Sequence, residues 1–178
     1  MILNQREDRT SHVINVARHM MNAARTAPKG KGIDVIEIAL VEGDDDLKTL
    51  ANKMVEISDA TGMKFFLRDA ENICQGQCVV LIGTRQELMG LNCGHCGYAT
   101  CASKPEAVPC AINSIDVGIA IGSACAMAAD MRVDTRVLFS AGLAAQQLEW
   151  LGDGVGQVMA IAVSSSSKSP FFDRKPKK

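Results

Sequence analysis

Apolar residues recur at three- and four-residue steps along residues 11–25, where Val13, Ala17, Met20, Met21 and Ala24 share one face. The pattern predicts a helix, with Thr10 or Ser11 as its cap. It ends before Pro28, because a residue preceding proline is pushed out of the α region. Residues 27–32, APKGKG, then read as a basic, glycine-rich loop. In IDVIEIALVEG, Val35, Glu37, Ala39 and Val41 alternate with Ile36, Ile38 and Leu40. So apolar a run predicts an interior strand covered on both faces.

DDDLKTLANKMVEISDATG predicts a second helix. Asp44 to Asp46 sit in its first turn, where the helix dipole favours negative charge. Leu47, Leu50, Met54 and Ile57 form its buried stripe, and Gly62 ends it. Residues 64–73 add a short helix, and residues 78–84, CVVLIGT, an apolar strand. AINSIDVGIAIGSACAMAADM is a helix apolar almost all round and therefore expected to be central. Its Gly118, Gly122 and Ala126 form a seam of small residues that admits another helix closely. VDTRVLFSAGLAAQQLEWL reads as a further helix capped by Asp134 or Thr135, GQVMAIAVS as a last strand, and the remainder as a polar loop with a basic tail. Helix, strand, helix, strand, cysteine insert, two helices and a strand make a mixed α/β (α+β) chain with a small sheet. We expect one domain over residues 1–178, with an insert at 91–111.

An apolar fraction of 47% in 178 residues supplies a core and excludes global disorder. Lys plus Arg number 19 against 20 Asp plus Glu, so nothing favours nucleic acid as partner. MILNQREDRT has no apolar run after a basic stretch, hence no secretory signal is expected and the cytoplasm is the expected location. The apolar helix contains Asp116, is bounded by Asp130 and Arg132, and barely reaches the minimum of about 17 residues, which argues against a membrane span.

Seven cysteines in a chain without secretory features point to metal or redox chemistry rather than disulfides. Cys93, Cys96, Cys101 and Cys110 have the spacing C-x2-C-x4-C-x8-C in a segment, residues 92–110, too poor in apolar residues to fold itself. Four thiolates, one per iron, are what a [4Fe–4S] cube requires. Gly94 and Gly97 each follow a ligand and allow the chain to hug an inorganic core, while Pro109 stiffens the approach to Cys110. Four-cysteine zinc uses the same atoms, but zinc ribbons have two separated C-x2-C hooks where this chain has one. Disulfides are the third alternative, above all after exposure to air. Cys74 and Cys78 form a C-x3-C pair, read either as a second ligand or redox pair or as a helix-end residue and a buried strand-start residue; Cys125 reads as core. His95 is read as a loop residue that modulates the centre, and His12 and His19 as a solvated or interfacial helix face.

LNCGHCGYATC resembles the cluster motif of small [4Fe–4S] domains in electron-transfer complexes and corrinoid iron–sulfur proteins, with Ala99 where those carry proline. ARTAPKGKGID, the cysteine motif and DVGIAIGSA together resemble a family of uncharacterised prokaryotic proteins containing a ferredoxin domain. Outside the insert the chain is similar to FMN-dependent nitroreductases, on Ala27-Pro28, Asp116-x-Gly118-x-Ala120 and Arg174-Lys175-Pro176. That resemblance implies a nitroreductase-like fold and a homodimer packed through the seam helix, with FMN as second cofactor. Two departures stand out. KGKGID replaces the family's N-x-Q-P-W run, and only Arg6 and Arg9 are available where its arginine-rich phosphate motif belongs. Arg25, Lys29, Lys31 and Arg174 are then the candidate phosphate cations, with solvated surface charge as the alternative.

GDGVG precedes a strand, not a helix, and PKGKG lacks the Walker spacing, so neither is a nucleotide motif. The expected function is that of an iron–sulfur electron-transfer protein, acting as a nitroreductase-like oxidoreductase served by a redox partner protein or small-molecule donor. The alternatives are a flavin-free electron-transfer or redox-sensing module and a structural zinc protein. No catalytic residue is assigned.

Overall fold

The computed structural model describes residues 2–172. The elements run α1 (Gln5–Thr26), β1 (Ile36–Glu42), α2 (Asp44–Thr61), α3 (Phe65–Gln75), β2 (Cys78–Arg85), α4 (Ala111–Asp130), β3 (Asp134–Leu138), α5 (Phe139–Gln147) and β4 (Val155–Ser164). The strands form one antiparallel sheet in the order β1-β2-β4-β3. Alternation along the two central strands builds a core on each face. Cys78, Val80, Ile82, Ile161 and Val163 pack with α1 and α4, whereas Val79, Leu81, Ala160 and Ala162 pack with α2, α3 and α5.

Most predicted elements stand where the hydrophobic pattern puts them. The α2 stripe of Leu47, Leu50, Met54 and Ile57 is buried, and Gly62 caps the helix in the left-handed conformation at φ 74°. Four expectations are corrected. The first helix begins at Gln5, not in the region of Ser11; its cap is Asn4, whose side chain accepts the Arg6 N–H at 3.0 Å. The added residues are polar and lie on the surface, so no apolar period marks them; Glu7 and Asp8 in the first turn suit the dipole. Strand β1 is an edge strand paired only with β2, not an interior one. It reads as interior because helices cover both of its faces, which is what the apolar run reports. The predicted helix from Val133 onward divides in two: residues 134–138 pair with β4 as β3, and the helix starts only at Phe139.

The fourth correction concerns α4. Its inner face, with Val117, Ala120, Ala124 and Ala128, is buried against α1 and the sheet, but Ile115, Gly118, Ile119, Gly122 and Ala126 face outward. The helix is thus half-covered, and α1 packs on the side opposite the small-residue seam. By length and composition alone it is the one helix among the described residues apolar enough to cross a membrane.

Strand β4 carries a bulge. Its ladder with β2 steps from Ile82–Met159 to Thr84–Gly156, one residue more on β4, and Gln157 takes φ 51° there. On the opposite face α5 approaches β4 so closely that a side chain at Gly142 would strike the Val158 carbonyl and stand 2.7 Å from Met159 Cα. Alanine normally gains up to about 1 kcal/mol over glycine inside a helix. The collision outweighs that gain, so Gly142→Ala lowers the unfolding free energy by about 1–3 kcal/mol in urea titrations.

Candidate functional site

Residues 86–110 contain no strand and only a single 3-10 turn, Cys101–Ser103. Their order comes from anchors on the regular structure. Asn113, fully buried in the first turn of α4, donates its amide to the carbonyls of Arg85 at 3.3 Å and Glu87 at 2.7 Å. Lys31 Nζ donates to the Met89 carbonyl at 3.2 Å. The Gly30 N–H is shared by both carboxylate oxygens of buried Asp116, each at 3.0 Å. Gly30 also lies against α4 so tightly that any side chain there would collide with Ile112. The glycine-rich loop, the strand exit and the start of α4 are thereby fastened together.

Within the segment the backbone turns around the cysteines. Asn92, at φ 50°, donates its N–H to Cys101 Sγ at 3.4 Å and accepts the Cys101 N–H on Oδ1 at 2.8 Å. Gly94 and Gly97 both have positive φ, 73° and 87°, and the Gly97 N–H closes the turn onto the Gly94 carbonyl at 2.9 Å. Thr100 and Ser103 cap one another reciprocally around Cys101. Lys104 folds its ammonium back onto the Pro105 and Val108 carbonyls. Cys110 is the N-cap of α4, and its carbonyl accepts the Ser114 N–H at 3.2 Å.

All four predicted ligands, Cys93, Cys96, Cys101 and Cys110, line one small pocket, with Met89, Ile112 and other apolar residues in its wall. Cys93 is exposed and the other three are half-buried. Among the described residues no three Cys, His, Asp or Glu side chains converge closely enough to chelate a single ion. His95 is exposed, as are His12 and His19 on α1.

The remaining cysteines stand apart. Cys78 is buried at the start of β2, and burial pushes its thiol up to about 12. Cys74 is exposed near the end of α3 with its pKa raised, by partial burial first. Cys125 is half-buried on α4 and likewise raised by burial. Both members of the C-x3-C pair thus occupy the structural positions that the helix-end and strand-start reading gives them.

Three of the candidate phosphate cations are engaged within the protein. Arg25 bonds Asp34 at 2.8 Å and the Ile36 carbonyl at 2.6 Å. Lys29 closes the end of α1, donating to the Ala24, Arg25 and Ala27 carbonyls at 2.7, 2.6 and 2.8 Å. Its pKa is lowered, by burial first, against the raising influence of Asp34 and Asp116. Lys31 holds Met89 as described above. Arg174, with Lys175 and Pro176, lies outside the described residues.

Sequence reasoning did not find the walls of the cavity, Leu88, Met89, Leu91, Asn92, Lys104 and Ile112. The one local signal was Asn92, a residue tolerant of positive φ placed directly before the first ligand. The apolar walls carry no local signal, since they converge only when β2 and α4 pack.

Thiol reactivity follows from these environments. At pH 8 a thiol of pKa about 12 is ionised in only about one part in ten thousand. In folded, metal-free protein under reducing conditions, iodoacetamide labels exposed Cys93 well before Cys78, which reacts only on unfolding; peptide mass spectrometry over time reads the order.

Residues 106–174 match the family described as uncharacterised protein containing a ferredoxin domain. That stretch includes Cys110 and leaves Cys93, Cys96 and Cys101 to its N-terminal side. An uncharacterised protein of Archaeoglobus fulgidus is 39% identical over 188 aligned residues covering the whole of both chains. Among solved structures, a nitroreductase with bound FMN from Bacteroides fragilis superposes with a TM-score of 0.65 at 11% identity, over 92% of this chain and 83% of that one. A putative nitroreductase in complex with FMN from Desulfovibrio desulfuricans gives 0.58 at 15% identity, over 91% and 79%. The fold is therefore nitroreductase-like, as the D-x-G-x-A helix and flanking elements led us to expect.

Proposed function

The chain belongs to the family of uncharacterised proteins containing a ferredoxin domain, and on that premise we propose that it is an iron–sulfur electron-transfer protein, a nitroreductase-like oxidoreductase whose Cys93, Cys96, Cys101 and Cys110 hold a [4Fe–4S] cluster. The observation that carries this reading is that all four cysteines line one pocket. Four thiolates, one per iron, are what a cube requires. The donor set fits the cluster: four thiols, a positive-φ glycine after each of Cys93 and Cys96 that turns the chain there, and one backbone N–H aimed at a sulfur. A bound cluster supplies storage of a single electron. The chain's residues contribute the thiolates, the Asn92 hydrogen bond and the apolar wall that limits water.

A flavin-free module is the second reading, favoured by the engagement of the cations. Arg25, Lys29 and Lys31 all have partners within the protein, and they do not form a phosphate cradle as they stand. FMN as second cofactor would draw phosphate contacts from Arg25, Lys29 or Lys31 only after these exchange partners.

Protein purified without oxygen is expected to be brown, to hold about four irons and four sulfides per chain, and to give an EPR signal when reduced. Serine in place of any of the four ligands lowers the iron content and removes that signal; Cys74→Ser and Cys125→Ser leave both intact. Stoichiometric zinc without iron or sulfide would overturn the reading. In the same samples, yellow flavin released on denaturation supports the oxidoreductase, and its absence, with none bound on titration, the flavin-free module.

We also propose a cytoplasmic homodimer that exchanges electrons with a partner protein or a small donor, without nucleic acid or membrane. The outward face of α4, small at Gly118, Gly122 and Ala126 and apolar at Ile115 and Ile119, is the contact it would use. Gly122→Arg is expected to turn the dimer into a monomer in sedimentation equilibrium; a wild-type chain that sediments alone at micromolar concentration rules the dimer out.

A further inference from the structure

We propose that Asp116 is a positioning residue for the cysteine cavity: its carboxylate clamps the glycine-rich loop onto the cavity wall and, with Lys29 as its counterweight, sets the reduction potential of the cluster bound there. The inference rests on reading the cavity as a cluster site.

Asp116 is only 2% exposed and lies on α4 six residues beyond Cys110. Among the described residues it forms no ion pair; its two oxygens are occupied by the Gly30 N–H, each at 3.0 Å. A point at the Cβ position of Gly30 lies 3.5 Å from Asp116 Oδ2 and 3.7 Å from Met89 Cε, and closer still to Ile112 Cγ2. Met89 and Ile112 both line the cavity. The buried carboxylate and two side chains of the cavity lining thus converge on Gly30.

A fixed charge in such a place acts more strongly than one in solvent, because little water screens it. Cluster potentials follow local charge, hydrogen bonding and exposure. Adding an electron near a buried carboxylate is opposed, so Asp116 holds the potential down. Lys29, next to Gly30, feels Asp116 among its charged neighbours and acts with the opposite sign. Its ammonium is pinned to three carbonyls at the end of α1 and cannot swing away without unmaking them. Asp34 is the stronger acidic neighbour of Lys29 and Asp116 a weaker one, so the two charges bear on the cavity separately and with opposite sign.

The test uses the full chain, loaded anaerobically, in four forms: wild type, Asp116→Asn, Lys29→Met and, as a control, Asp130→Asn at the exposed end of α4. Dithionite titration followed by EPR gives the midpoint of the one-electron reduction, and iron and sulfide are counted in each form. The midpoint is expected to rise in D116N, to fall in K29M and to stay put in D130N, at equal iron content. A structural effect alone would move both variants the same way, since each removes hydrogen bonds from the loop. Loaded variants whose midpoints do not part in opposite directions overturn the role of Asp116 and leave the cluster reading standing; a wild type that takes up no iron overturns both. If D116N does not load, Asp116→Ser takes its place in the same titration: a higher midpoint upholds the role of Asp116, and an unchanged or lower one, or a second failure to load, refutes it.

Discussion

The cysteine segment has no core of its own, and everything at the site depends on its being tied to structure that does. Three hydrogen-bonded fastenings carry that burden: the Asn113 amide across the exit of β2, the Lys31 ammonium on Met89, and the Asp116 carboxylate on Gly30. Two of them come from side chains buried among the otherwise apolar residues of α4. Burying an amide or a carboxylate is costly unless its hydrogen bonds are made, so these polar groups find their best state only when the loops lie in one arrangement. The hydrophobic layers provide stability, and a handful of polar contacts convert that stability into a fixed outline for the thiols.

This division of labour explains how much could be read from the chain. Where apolar period and end signals agree, as in α2 between Gly43 and Gly62, the sequence pattern and the helix coincide. The short run 134–138 misled because Val133, Val137 and Leu138 fit a helical face as well as a strand, and only pairing with β4 decides between them. The edge position of β1 was hidden for a related reason. Burial of a strand's faces is written in its side chains, but the occupancy of its two edges is not.

The site was legible in one respect and opaque in another. The spacing of Cys93, Cys96, Cys101 and Cys110 marks them as a set, since few other functions ask for four thiols so close together. The basic residues of the 27–32 loop illustrate the opposite case. Charge alone suggests an anion, yet Lys29 and Lys31 find backbone carbonyls, an outcome that depends on where α1 ends and how β2 exits. Asp116 gave a motif but no role until Gly30, 86 residues away in sequence, was seen to donate to it.

The open edge of β1 has a consequence of another kind. A seven-residue strand paired with a neighbour along one side alone invites strands of other molecules to add to it. Here Glu37 is held by Arg85, and Glu42 faces Arg18 at 4.0 Å. Any intruding strand would have to lie alongside charged groups that keep their water. The rim of the sheet thus carries charge that works against fibril growth.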